Sequence, residues 1–276
     1  MTGGVSRGIE ELATAGCLSA TSAMTTSRHW PAHAPRIARF RSGLAIGLHF
    51  NLTLGAPLGP MPRMAPDGCL PLVGALVRRA LLGDVDATEI EAETDRQLDA
   101  FEHALGHPPD FLDGHQHVHA LPRVRDGVLA ALRRRYQGRP FLIRDPADGW
   151  QAIVHRGVAI PKAIVLSSLA SGFAASARAA GFVTNDGFAG VSAFEPETAE
   201  REFQNFAQAG NRMPLVMCHP GHADAELTSL DPLTTRRERE LDVLRHRSPF
   251  ATRLLRPQRS GADGMIDWKA AWESAT

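Results

Sequence analysis

Three scarcities narrow the reading of this 276-residue chain. Cysteine is rare: Cys17, Cys69 and Cys218 lie far apart, are odd in number and form no Cys-x-x-Cys. That excludes a disulfide framework and a thiolate zinc site. Excess charge is absent, because thirty basic residues balance thirty acidic ones. A balanced chain offers no electrostatic case for nucleic acid or an acidic membrane surface as partner. No apolar run reads as long enough to span a membrane, and no signal-peptide pattern opens the chain. The sequence thus predicts a cytoplasmic protein without membrane insertion. Lysine is nearly missing as well: all but two of the basic residues are Arg, which reflects a GC-rich coding sequence more than a function.

What is present is a well-supplied core, with 43% hydrophobic residues, arranged in alternating helix and strand patterns. Helical spacing runs from Val5 to Ala15, with Gly16 as its stop. A β-leaning stretch covers Leu18 to Thr26, and Arg36 to Arg41 reads as the end of a second helix. Leu44 to Leu52 reads as a buried strand, and the Pro- and Gly-rich Gly55 to Leu70 as a long loop. Thr88 to Leu105 is an amphipathic helix with a Thr88–Glu91 capping box. Further helices are predicted at Pro122 to Tyr136, Lys162 to Gly181, Pro196 to Ala209 and Thr234 to Arg245, the last as a solvated charged face. Short strands are predicted at Phe141 to Arg144, Phe182 to Asn185 and Pro214 to His219. This alternation implies an α/β fold with a mainly parallel sheet, closed or open. No repeat or linker divides the chain, so one domain is expected over residues 1–250, followed by a tail at 251–276. In that tail Trp268 and Trp272, four apart, suit one face of a short helix.

The most informative stretch is Phe111-Leu112-Asp113-Gly114-His115-Gln116-His117-Val118-His119. Read as a strand, it puts Asp113, His115, His117 and His119 on one face. Imidazoles with a carboxylate suit zinc or a similar divalent ion. In parallel α/β folds catalytic groups gather at the C-terminal ends of strands. Three predicted strand ends carry His: His49, the His115 to His119 group, and His219. Such groups suit metal-assisted hydrolysis, in which an ion activates water, a carboxylate takes its proton and an imidazolium protonates a departing amine.

Three blocks resemble the YdjC-like carbohydrate deacetylases, a family that includes chitooligosaccharide and hopanoid-biosynthesis-associated deacetylases. They are Gly47-Leu48-His49-Phe50-Asn51-Leu52, Leu112-Asp113-Gly114-His115-Gln116-His117-Val118-His119, and Val216-Met217-Cys218-His219-Pro220-Gly221. Weaker matches are Ile143-Arg144-Asp145-Pro146, Asp186-Gly187-Phe188-Ala189-Gly190, and Arg237-Glu238-Arg239-Glu240-Leu241. The resemblance implies a distorted (β/α) barrel that removes N-acetyl groups from amino sugars or oligosaccharides with a divalent metal ion, Zn²⁺ or Mg²⁺. It implies His49 and His115 as metal ligands, His219 as the acid assisting amine departure, and Asp113 as the group orienting an imidazole. Arg144 and Asp186 are the candidate substrate contacts, and a homodimer is admitted.

The family usually opens with a strand ending in Asn-Ala-Asp-Asp-Phe-Gly, whose aspartates supply a third ligand and the general base. Here Met1 to Ile9 resembles the sequence directly after that motif. The expectation is a barrel without its first strand and a deacetylase impaired by the loss, the preferred cause being a sequence that starts at an internal Met. Two other readings stand beside it: another metal-dependent amidohydrolase or phosphoesterase, and a non-catalytic sugar-binding relative.

Overall fold

The computed structural model describes residues 2–208, 210–231, 233–256, 258–260 and 264–274. Its first half comprises α1 (Gly3–Thr14), β1 (Ala20–Ala23), α2 (Trp30–Ala38), β2 (Ala45–Phe50), α3 (Val73–Leu82), α4 (Ala87–Leu105) and β3 (Phe111–Gly114). Then come α5 (Val124–Tyr136), β4 (Leu142–Ile143), α6 (Trp150–Arg156), α7 (Ile160–Leu169), α8 (Phe173–Ala179) and β5 (Phe188–Ala189). The remainder is α9 (Ala199–Phe206), β6 (Leu215–Val216), α10 (Ala225–Leu230), α11 (Thr234–His246), β7 (Arg259–Ser260), β8 (Met265–Ile266) and α12 (Trp268–Ser274).

Strands β1 to β4 pair in parallel and in chain order. A parallel bridge from Leu142 to Val183 continues the arc toward β5, which pairs in parallel with β6. The α/β class is as expected. Among the described residues no closed barrel forms, and the ladder pairs no strand between β6 and β1. The apolar residues Ile46, Leu48, Phe50, Leu112 and Ile143 of the strands are fully buried with Leu98, Phe101, Val128 and Leu132 of α4 and α5. Gly47 is needed in β2 because a Cβ there would lie 2.5 Å from the Phe111 ring across the ladder. The glycines of α1 serve a similar end: a Cβ on Gly8 would come within 2.9 Å of the Gly221 Cα. Helix α1 thus lies directly on the His219-Pro220-Gly221 turn.

Several sequence expectations change. The cap of α4 is Asp86, whose carboxylate accepts from the N–H groups of Thr88 and Glu89, so Thr88 does not form the capping box. Phe182 to Asn185 contributes one bridge rather than a strand, because its neighbours bond irregularly around Asn185. Helix α9 ends at Phe206, and the predicted end at Ala209 lies outside the described residues, as does Met1. The stretch Ile160–Ala179 passes for a membrane span by length and mean hydropathy (1.3). It is two helices, α7 and α8, divided at Gly172, whose φ of 77° is left-handed. In the tail, Trp268 is buried and donates its indole N–H to the Asp110 carbonyl, while Arg259 pairs with the Asp110 carboxylate at 2.6 Å. These contacts tie the tail to the N-terminal end of β3. Residues 257, 261–263 and 275–276 of the predicted tail lie outside the described residues.

The expectation of a solvated α11 fails most plainly. Arg236 and Glu240 are each 2% exposed. Arg236 pairs with Glu202 of α9 and Glu240, both at 2.8 Å, and donates to the Glu195 carbonyl. The charged residues recur at helical spacing, so one row of them faces inward.

Candidate active site

The strand predicted through the histidines stops at Gly114. From His115 to Ala120 the chain makes a 3-10 turn, with Gln116 and His117 at φ of 50° and 61°. A strand's alternation ends where φ turns positive, so the four side chains do not share one face. His115 stays beside His49, with ring centroids 5.5 Å apart. His117 packs edge-on to Phe188, and His119 to Phe173. His119 is fully buried and donates through Nε2 to the Arg144 carbonyl at 2.7 Å.

Parallel register sets His49 beside Asp113. Their side chains meet, His49 Nδ1 to Asp113 Oδ1 at 2.8 Å. Burial opposes ionisation of Asp113, but the Arg144 guanidinium and His49 outweigh it and hold its carboxyl well below the usual carboxylate range. An ionised carboxylate only accepts, so Nδ1 of His49 is the donor, and in the neutral ring Nε2 carries the lone pair. The Ser22 hydroxyl lies 3.3 Å from the same Nδ1. Asp113 is anchored in turn by Arg144 Nη1 at 2.7 Å. Burial pushes the pKa of His115 down to about 3, so its ring is neutral at neutral pH.

His219 lies just beyond β6. Glu240 Oε2 accepts from its backbone N–H at 2.5 Å, and Arg237 donates to its carbonyl at 3.2 Å. Its ring packs edge-on to Phe194, with centroids 5.5 Å apart. Burial, then Arg237, pushes its pKa down to about 3. Two imidazoles with free lone pairs, one oriented by a carboxylate, fit a divalent ion that accepts nitrogen ligands. Among the described residues no group of three or more His, Cys, Asp or Glu converges on such a point.

A family model described as YdjC-like protein matches residues 1–253. The chain belongs to the YdjC-like family. The chitooligosaccharide deacetylase of Serratia marcescens is 38% identical over 138 residues, half of this chain and 53% of that protein. The one from Enterobacter sp. strain 638 is 35% identical over 144 residues, 49% of this chain and 56% of that protein. The chain thus spans about half the length of the curated relatives it matches. A crystal structure from Enterococcus faecalis V583, provisionally named a cellobiose-phosphate cleavage protein, superposes with a TM-score of 0.65 at 21% identity. It covers 89% of this chain and 87% of its own, and shows the fold alone.

Of the YdjC-like positions expected from sequence, the fold brings His49, Asp113, His115 and His219 to the C-terminal ends of β2, β3 and β6. Arg144 joins them in another capacity. It is 2% exposed, and its guanidinium is spent on Asp113, the Gly114 carbonyl at 2.7 Å and His117 at 3.3 Å. That burial corrects the expected substrate contact: Arg144 positions Asp113. Asp186 lies elsewhere. It precedes β5, away from the strand's C-terminal end, and its carboxylate accepts from the Arg212 N–H while its own N–H bonds the Met213 carbonyl. Sequence reasoning did not single out Ser22, Phe194 or Arg236. A hydroxyl, an aromatic and a helical Arg carry no local signal; only the Arg237 to Leu241 block hinted that the predicted α11 bears on the site.

Proposed function

We propose that this chain is a metal-dependent carbohydrate N-deacetylase acting on N-acetylated amino sugars or their oligosaccharides. The reading rests on one observation above all: His49, fixed by Asp113, stands beside a neutral His115. The relatives named chitooligosaccharide deacetylase support the choice of substrate. Nε2 of His49 and the ring of His115 would hold the ion, zinc by donor type, with magnesium admitted if oxygen ligands and waters fill the rest. When bound, such an ion supplies an activated water and polarises the acetyl carbonyl.

The chain's own residues do the rest. Arg144 holds Asp113 ionised, and Asp113 keeps the proton on Nδ1 of His49. His219 starts as a neutral imidazole. It takes the proton that the attacking water gives up and passes it to the nitrogen as the C–N bond breaks, leaving acetate and a free amino sugar. A third ligand and a dedicated general base would come from the paired aspartates of the family's opening strand. A cytoplasmic location, to be checked by fractionation, and a homodimer, to be checked by light scattering, belong to the same proposal.

The test is acetate release from N-acetylated chitooligosaccharides with added zinc or magnesium. It compares the 276-residue chain, the same chain prefixed by a strand ending in Asn-Ala-Asp-Asp-Phe-Gly, and the prefixed His115→Ala variant. Release that rises with the prefix and is lost in His115→Ala is expected. Equal release from all three sinks the reading. A second reading, a sugar-binding relative without catalysis, is favoured by the two-imidazole set among the described residues. Tight oligosaccharide binding with no acetate from the prefixed protein would select it.

A further inference from the structure

The contacts of Arg144 reach past Asp113. Its Nη2 lies 2.7 Å from the Gly114 carbonyl and 3.3 Å from Nδ1 of His117. A guanidinium only donates, so Nδ1 of His117 is the acceptor. An imidazole that accepts at Nδ1 is neutral and carries its proton on Nε2. His49 is set the other way round. Asp113, itself held by Arg144 at 2.7 Å, accepts from Nδ1 of His49 and leaves the lone pair on Nε2. One guanidinium thus fixes opposite tautomers in two imidazoles, a free lone pair in one and a free N–H in the other.

His117 is held in this state against backbone strain. Gln116 and His117 are consecutive left-handed residues, φ 50° and 61°, and neither is Gly. Such backbone persists only where its surroundings over-determine it, and strain of this kind clusters at functional sites. Here the buried Phe188 ring meets the His117 ring edge-on, with centroids 5.5 Å apart, and the Arg144 guanidinium carbon lies 5.7 Å over the same Phe188 ring. His117 nevertheless stays partly exposed, and its Nε2 meets no hydrogen-bond partner among the described residues. Nor is Nε2 one of the sealed polar atoms that lack a partner, so its proton is open to a ligand.

With Nδ1 engaged and Nε2 protonated, His117 has no lone pair left for an ion, which leaves that task to His49 and His115. What it offers is a neutral donor fixed in advance. A sugar hydroxyl both donates and accepts, so it would tolerate either tautomer. An amide carbonyl only accepts, and needs the donor that Arg144 enforces. A donor set before reaction also needs no reorientation as charge develops on that oxygen. We propose that His117 is a further catalytic residue, donating from Nε2 to the acetyl carbonyl oxygen of the substrate and to the oxyanion formed there. The inference rests on the deacetylase reading of the site.

Two measurements test it. Long-range proton–nitrogen NMR spectra of the 276-residue chain should place the His117 proton on Nε2. Adding N-acetylated chitooligosaccharide should shift that Nε2 signal, and the fully deacetylated oligosaccharide should not. A proton on Nδ1 of His117, no shift, or an equal shift with both sugars overturns the proposal. Acetate release is scored separately: a shift without release sinks the deacetylase reading and keeps the contact, while release with an unmoved His117 does the reverse. Substitution then separates the two ring nitrogens. Asn puts an acceptor where Nδ1 meets Arg144, and Gln puts a donor near Nε2. In the prefixed protein His117→Asn should lower kcat about a hundredfold with KM little changed, and His117→Gln far less, with melting temperatures reporting that both fold. The opposite order, expected if His117 serves only as an acceptor for Arg144, overturns the proposal, as does a rise in KM alone.

Discussion

Replacing Arg236 with Met tests the interior that holds His219. The guanidinium lies between two carboxylates, at 2.8 Å from each, and the three residues are almost wholly shielded from water. Glu202 also accepts from the Ser192 hydroxyl, and Glu240 from the His219 N–H. Met keeps most of the volume of Arg, so the cavity contribution is small. The dominant cost is two buried carboxylates left without their cation, about 3–5 kcal/mol for breaking such a pair. At roughly 2–4 °C per kcal/mol in a chain of this size, the melting temperature should fall by about 10 °C. Urea unfolding at neutral pH measures the loss directly. Adding Glu202→Gln and Glu240→Gln removes the stranded charges while keeping acceptors for Ser192 and His219, so the triple variant should recover most of it. A loss below about 1 kcal/mol for Arg236→Met, or a triple variant no more stable than the single, would refute a buried three-residue ion network.

Two further outcomes follow from the same geometry. Asp113→Asn removes the carboxylate that orients His49 and leaves Arg144 buried beside a neutral group. Zinc affinity by calorimetric titration should drop about 10–100-fold, with a lower melting temperature, and unchanged affinity would remove Asp113 from the site. His119 provides a pH test. Burial pushes its folded pKa down to about 3 from an ordinary 6.5. Between those values the unfolded chain binds a proton that the folded chain refuses, so stability falls as pH drops below 6.5. At pH 5 the difference is about 2 kcal/mol from this ring. His119→Gln keeps a donor for the Arg144 carbonyl without titrating, so its stability should change less between pH 7 and pH 5, by that amount. Identical pH profiles for variant and parent would show that His119 does not stay neutral in the folded chain.

Much of the site was legible because its residues sit in short chemical blocks. His49 and His219 each follow an apolar run, and runs of that kind become strands whose ends gather on one side of a parallel sheet. The α/β class was readable for the same reason, since periodicity is a local property. Element boundaries were less so: β4, β5 and β6 hold two residues each, too few for any period to register. The histidine stretch shows the limit most clearly. Alternation is a sound inference only while φ stays extended, and nothing in Gly114-His115-Gln116-His117 announces two consecutive left-handed residues.

By itself the sequence determined the chemistry on offer: imidazoles and a carboxylate at strand ends, no thiolate ligands, a balanced charge and the motifs of the YdjC-like family. Only the tertiary structure decided how that chemistry is divided. It paired His49 with Asp113 through the register of β2 on β3, withdrew His119 into the core, turned Arg144 from the substrate toward Asp113, and buried one row of the charged α11 behind His219. The physical reason is the same throughout. Residue type sets what a side chain can donate, accept or bind, but burial and partners lying tens to hundreds of positions away set whether it does.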